Sequence, residues 1–284
     1  MIVLQLLQDP VAATAVAAVV GLLVGSFLNV VIHRLPKMLE RGWQDQCAEL
    51  RGETPEPRPR YNLVVPRSAC PACGHQITAI ENVPVLSWLM LRGKCSKCGA
   101  PISARYPVVE LIGGILAAAA IWRFGPTWAG MAACAFLWTL LALTFIDFDT
   151  QLLPDDLTLP LLWGGLIANL YGLFTPLRDA LIGAIAGYLV LWSIYWLFKL
   201  IRGKEGMGYG DFKLLAALGA WLGWKTLPLI ILGSSVVGAF IGMGLVAFKG
   251  RDHNVPLAFG PYLAIAGIVA LFFGEPIVKV YFPN

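Results

Sequence analysis

Apolar residues in this chain gather in eight runs, at 11–32, 107–122, 128–146, 157–174, 180–198, 214–224, 226–248 and 255–274. Six of these are 18 residues or longer, and all but the second, which holds Glu110, carry no charge. A helix needs about 20 apolar residues to cross a bilayer, so runs of this length predict membrane-spanning helices. The run 214–224 is too short to cross alone. With Phe212 and a start near the interface it predicts a short or tilted helix. The pattern predicts an all-α polytopic membrane protein with about eight transmembrane helices. The first run also invites a signal-peptide reading, but the residues ahead of it carry Asp9 and no Lys or Arg. A secretory signal needs a basic start, so the run reads as a retained first helix.

Residues 33–106 are polar, and Pro55, Pro57, Pro59 and Pro66 break regular structure near their start. The chain therefore divides into a first transmembrane helix (1–32), a hydrophilic loop module (33–106) and a membrane core (107–284). Composition agrees: 58% of the 284 residues are hydrophobic and 13% charged, against roughly 25% charged in soluble domains. The mean hydropathy is +0.71. These values exclude a soluble globular domain, a disordered chain and a secreted disulfide scaffold. The net charge of +4 is too small to argue for a nucleic-acid partner; the partner implied by composition is membrane lipid.

The basic residues set orientation instead. The module holds 11 of the 21 Lys/Arg. With the N-terminus outside, the inward-facing segments hold 17 of the 21, including Lys204, Lys249 and Arg251, and only Arg123, Arg178, Lys225 and Lys279 face outward. The module exceeds the length of about 60 residues over which this rule is normally counted. Even so, Arg34, Lys37 and Arg41 lie close to the first helix, and Arg92, Lys94, Lys97 and Arg105 close to the second. The module is expected to be cytoplasmic.

Within it, Cys70-Pro-Ala-Cys73 and Cys95-Ser-Lys-Cys98 form two C-x-x-C pairs separated by 21 residues. Each pair can place two thiolates on one tight turn, so four sulfurs can surround a tetrahedral Zn²⁺ in a ribbon-like arrangement. Gly74 and Gly99 each follow a pair, where such a turn often needs a positive φ. The spacing slightly exceeds the usual ribbon range of about 15–20 residues. Disulfides or redox thiols are the competing readings. A reducing cytoplasm disfavours the first, and no βαβ pattern supports the second. His75 is a possible substitute ligand or a polar surface residue. Cys47 and Cys134 are unpaired, and Cys134 reads as a small buried residue. No motif is recognised in residues 37–68.

Ionisable residues inside spanning segments are costly and usually face protein or water. Glu110 stands one turn into the second helix, where an interfacial ion pair with Arg105 is the simplest account. Asp147 ends the third helix and opens Asp147-Phe-Asp149-…-Leu153-Pro-Asp155-Asp156. A solvated acidic turn suits Asp149, Asp155 and Asp156, and either of the last two can cap the next helix. It suits Asp147 less well, because that residue follows an unbroken apolar helix. Asp211 ends Gly206-Met-Gly208-Tyr-Gly210-Asp211, whose glycines predict an open, poorly helical backbone. A flexible loop is one reading. A dinucleotide loop is another, but no strand precedes it and the full G-x-G-x-x-G is absent. In the predicted topology Asp147 and Asp211 share the cytoplasmic edge and can meet. Adjacent carboxylates cannot both ionise easily and would share a proton, as an aspartic protease requires.

These residues match a known family. Gly208-Tyr-Gly210-Asp211 is the G-x-G-D signature of intramembrane aspartyl proteases. The chain more specifically resembles the bacterial type IV prepilin leader peptidases, through 25–36 (GSFLNVVIHRLP), the paired cysteines, 105–110 (RYPVVE), Asp147 with Leu153-Pro154-Asp155, and 206–213, ending at Lys213. The matches run through most of the chain. The resemblance implies that Asp147 and Asp211 are catalytic and that Gly208, Gly210 and Lys213 belong to the active-site loop. It implies a multi-pass enzyme of the bacterial inner membrane that removes the leader of type IV prepilins and secretion pseudopilins on the cytoplasmic side. It also implies methylation of the new N-terminus with S-adenosylmethionine, associated with the cysteine loop and with Gly93 and Lys94. The alternatives are a related G-x-G-D peptidase without methylation, and a non-catalytic scaffold or transporter using the same zinc loop.

Overall fold

The computed structural model describes residues 9–55, 57–203, 206–249 and 258–281. Regular structure among them is helical: α1 (Pro10–Leu50), a short α2 (Leu86–Met90), α3 (Arg105–Phe124), α4 (Trp128–Thr150), α5 (Asp155–Leu170), α6 (Leu177–Arg202), α7 (Tyr209–Leu222), α8 (Leu227–Lys249) and α9 (Gly260–Tyr281). The described residues contain no strand, only isolated antiparallel bridges at Ala69–Gln76 and Lys94–Pro101. Each of the eight apolar runs forms a helix, and six helical stretches among the described residues are long and apolar enough to cross a membrane. The other two are α5, with 16 residues, and α7, with 14. The chain is an all-α polytopic membrane protein. Lys204, Arg251 and residues 255–257 lie outside the described residues.

α1 does not stop where charge begins. It continues through Pro36 to Leu50, because charge marks the edge of the lipid and not the end of a helix, and residues 37–50 are rich in good helix formers. The chain then returns along this extension. Arg58 donates to Gln44 at 2.9 Å, the Arg41 guanidinium stands 4.3 Å from the Tyr61 ring centre, and Arg34 donates to the Asn62 carbonyl at 2.9 Å. The motif-free stretch 37–68 is thus largely a helical extension with a strap laid along it.

The chain forms two compact units, Met1–Ala142 and Leu143–Asn284. In the first, α1 and α3 pack backbone to backbone. A Cβ built on Gly25 would lie 2.6 Å from the Glu110 Cα, and one on Gly113 would lie 2.9 Å from the Gly21 carbonyl. Small residues four apart permit this approach, which suits lipid, where burial of apolar surface alone does not drive helices together. Asn29 donates to the Tyr106 carbonyl at 3.1 Å across the same seam.

In the second unit α7 is enclosed on nearly every side, with residues 211–221 all buried except Lys213. A helix apolar all round needs such a setting, which is how a helix of only 14 residues is held in place. Gly187 of α6 meets it at the Leu215 carbonyl. Asn169, at the end of α5, donates to the carbonyls of Ala220 and Trp221 at 2.8 and 2.9 Å. Trp221 in turn donates to the Leu161 carbonyl at 2.7 Å. The C-terminal end of α7 is therefore clamped, and the position of its first turn follows.

Candidate active site

Asp147 occupies the last turn of α4 and Asp211 the first turn of α7. They are only 4% and 6% exposed, which sets them apart from the exposed Asp149, Asp155 and Asp156. The backbone N–H of Gly260, which opens α9, donates to Asp147 Oδ2 at 3.0 Å. Such an N–H is an orphan donor of a helix start, so α9 supplies the partner that a buried carboxylate needs. The Asp211 N–H bonds the Gly208 carbonyl at 3.3 Å, and Asp211 lies within electrostatic reach of Asp147. Leu153 wedges between the segments. A Cβ on Gly210 would stand 2.7 Å from the Leu153 Cβ, and one on Gly260 would stand 3.1 Å from both Leu153 methyls. The turn after α4, the start of α7 and the start of α9 thus converge on the two acids.

The glycine loop differs from the open coil that its composition suggests. α7 begins at Tyr209, so Gly210 is helical, and Gly208 is the N-cap with extended backbone. None of Gly206, Gly208 and Gly210 has a positive φ. Space, rather than conformational freedom, requires glycine at 210, where Leu153 leaves no room for a side chain. Gly208 is exposed beside Asp211. Lys213 pairs with Asp155 at 2.7 Å, joining the first turns of α7 and α5. Pro154 holds the N-cap position of α5, and no side chain caps that helix, so neither Asp155 nor Asp156 serves as its cap. Both instead sit in its first turn, where negative charge complements the helix dipole.

In the first unit the four cysteine sulfurs Cys70, Cys73, Cys95 and Cys98 lie within 4.8 Å of one another. Cys70 and Cys98 are 3.8 Å apart and Cys73 and Cys95 4.0 Å. A disulfide would need about 2.05 Å. A tetrahedron with metal–sulfur bonds of about 2.3 Å has edges of about 3.8 Å, so the sulfurs fit one metal ion. The two turns are built alike. Gly74 and Gly99 have φ of +71° and +70°, as expected. Their N–H groups bond the carbonyls of Cys70 and Cys95, at 2.9 Å in both cases.

Glu81, which sequence reasoning passed over, ties the two turns together. It accepts from the Ser96 hydroxyl between the second pair, from Thr78 N–H and Oγ1 at 2.8 Å each, and sits 3.2 Å from His75. These donors, Ser96 foremost, hold its carboxyl down at about 2. His75 points to Glu81 and lies outside the sulfur cluster. Gly93 has a φ of +67°, and a Cβ there would meet the Trp88 ring at 2.8 Å; Lys94 beside it is exposed. Glu110, expected to pair with Arg105, is buried and accepts the Val85 N–H at 2.7 Å. Cys134 is buried, and Cys47 is exposed on the α1 extension.

Known proteins resemble the chain along nearly all its length. Residues 19–124 match the bacterial peptidase A24 N-terminal domain and residues 134–243 the type IV leader peptidase family. A prepilin leader peptidase/N-methyltransferase of Aeromonas hydrophila is 60% identical over 93% of this chain and 92% of its own length. The protein of that name from Pseudomonas aeruginosa is 56% identical over 97% and 96%, and one from Burkholderia pseudomallei 58% identical over 92% and 86%. The chain belongs to the type IV leader peptidase family. It is a bifunctional enzyme, a peptidase and a methyltransferase. Among solved structures none matches it.

Beside the acid pair, sequence reasoning also missed Gly260. Its only signal was a Gly-Pro pair at a helix start, and nothing in that pair points to Asp147 more than 100 residues away. A Cβ at 260 would lie 2.7 Å from Asp147 Oδ2. A flexible side-chain end can usually yield, but here the end is one of the two carboxylates. Displacement on the order of 1 Å can cost about 10²-fold in rate. Gly260→Ala should therefore lower leader cleavage by about that factor while membrane levels of the protein stay unchanged, as measured by cleavage assay beside immunoblots of the membrane fraction.

Proposed function

We propose that Asp147 and Asp211 are the catalytic pair of an endopeptidase that removes the leader of type IV prepilins and pseudopilins at the cytoplasmic face of the bacterial inner membrane. One carboxylate, ionised, takes a proton from a water molecule. The water oxygen then attacks the scissile carbonyl carbon. The other carboxyl, protonated, hydrogen-bonds the carbonyl oxygen and passes its proton to the leaving amine. The observation that carries this reading is the burial of two acids from distant helices within electrostatic reach of each other, with Leu153 packed against the glycines beside both and a Gly260 N–H on one of them. Gly208, exposed and without a side chain, leaves room for an extended peptide beside Asp211. Gly210 lets Leu153 close the pocket, and Lys213 fixes the loop through Asp155.

The second activity is N-methylation of the newly exposed amine, with S-adenosylmethionine as methyl donor. The relatives' names carry it, and Gly93 and Lys94 fall in the loop associated with it. Cys70, Cys73, Cys95 and Cys98 would hold Zn²⁺, which supplies a structural cross-link and leaves no open coordination position for chemistry. Incubating purified enzyme with a prepilin and S-adenosylmethionine tests both activities together. Mass spectrometry should show cleavage at one site and the mass of one methyl group gained on the mature chain.

The proposed orientation makes a separate prediction. Cys47 in the module, and a cysteine introduced at Asp149, should be shielded from an impermeant thiol reagent in intact cells and react after lysis. Labelling in intact cells would place the acids on the wrong side for a cytoplasmic leader.

A further inference from the structure

We propose that the segment around α2 is a membrane-embedded anchor, its apolar face seated in lipid so that the cysteine module is held against the bilayer surface. Residues 82–91 carry no charge. Leu86, Leu89 and Met90 stand at i, i+3 and i+4, so they share one face of α2. All three are exposed, Met90 to 81%, and Val83 and Ile80 beside them are exposed as well. A contiguous apolar patch of this kind marks an interaction surface.

Depth identifies the occupant. α3 has 20 residues and so measures about 30 Å, the thickness of the hydrocarbon core. Glu110 is its sixth residue, about 7.5 Å beyond Arg105 at a rise of about 1.5 Å per residue. Val85, immediately before α2, donates its N–H to Glu110 at 2.7 Å. The bond is to the side-chain carboxylate, and helix side chains lean towards the helix N-terminus, so the chain at α2 dips alongside the first turns of α3, to at most that depth. Helices lying in a membrane interface bury their apolar face by about 5–10 Å, which brackets it.

The dip is fastened at both ends. Val85 holds a left-handed backbone, φ +61°, which is rare for a β-branched residue and is retained beside the Glu110 bond. At the other end, Trp88 donates to the Ile102 carbonyl at 3.1 Å, and the Ile102 N–H bonds Gly93 at 2.7 Å. On the α3 surface Val108, Leu111 and Ile115 are exposed, on a helix long and apolar enough to cross a membrane, so apolar surface suited to lipid flanks the Glu110 that holds Val85. Arg92 and Lys94, both exposed, follow α2 and suit anionic headgroups. Lipid fits depth, polarity and charge together.

The test uses the full-length enzyme in vesicles of phosphatidylethanolamine and phosphatidylglycerol. A photo-reactive diazirine side chain is introduced singly at Leu89, Met90, Ile115 or Leu50. Ile115 reports the exposed apolar side of α3, and Leu50 reports the exposed end of the α1 extension. After irradiation and digestion, mass spectrometry should find acyl-chain adducts at Leu89 and Met90 in yields comparable to Ile115 and well above Leu50. Yields no higher than Leu50, or adducts chiefly to a second copy of the chain or to an added pilin peptide, would overturn the anchor.

Discussion

Asp147→Asn and Asp211→Asn should each lower leader cleavage by at least about 10³-fold, the scale expected when one member of an acid–base unit is removed. Asparagine nearly matches the shape of aspartate and can still accept the Gly260 N–H, so the variants should fold and reach the membrane at normal levels. What they lose is the ability to hold or release a proton. Glutamate in either place keeps the charge but moves the carboxyl by about 1.5 Å, which should cost about 10²-fold or more. Asp149→Asn is the control, because Asp149 is exposed and stands outside the converged segments; it should keep most activity. Methyl transfer needs no aspartate pair to split a peptide bond. A pre-cleaved pilin given to the Asp211→Asn protein should still gain its methyl group. Normal cleavage by either Asn variant would remove the catalytic assignment. Loss of methylation in that experiment would show that the two activities do not occupy separate sites.

The positions of the helices and of the two acids were legible because lipid makes their signals strong. Each apolar run became a helix, since a bilayer leaves the backbone no other partner than itself. Asp147 and Asp211 stood out because an acid at the end of an apolar run has no cheap explanation. What stayed hidden was hidden for physical reasons. α1 runs 18 residues past the end of the first apolar run at 32, since charged and polar helix formers break up the continuous apolar signal once the lipid ends. Gly210 is glycine because of Leu153, and Gly260 matters because of Asp147. Both reasons are contacts at a distance in sequence, which composition cannot report. Glu81 looked like an ordinary acid in a polar loop. Its role depends on Ser96 and Thr78 arriving on either side of it, and only the paired cysteine turns bring them there.

Removing the metal should separate the two chemistries. Purified enzyme is expected to hold about one zinc per chain, as four thiolates at tetrahedral spacing require. The two cysteine turns have little else to join them. Cys95 is their only buried cysteine, and they meet through the sulfurs and the Glu81 hydrogen bonds. In peptides that fold around such a site, metal binding supplies on the order of 10–16 kcal/mol, effectively the whole of the folding energy. Cys98→Ser should therefore cut the metal content to a small fraction and expose the two cysteine turns, residues 69–76 and 94–101, to protease. Methylation should fall with it, because Gly93 and Lys94 lie directly against the second cysteine turn. The acid pair belongs to the other compact unit and is held by Gly260, Leu153 and the clamped end of α7, none of which involves a cysteine. Leader cleavage should thus survive Cys98→Ser to a much greater extent than methylation does. Elemental analysis, limited proteolysis and the paired cleavage and methylation assay check this on one preparation. Full metal content in Cys98→Ser would refute the four-sulfur site, and equal loss of both activities would refute the separation.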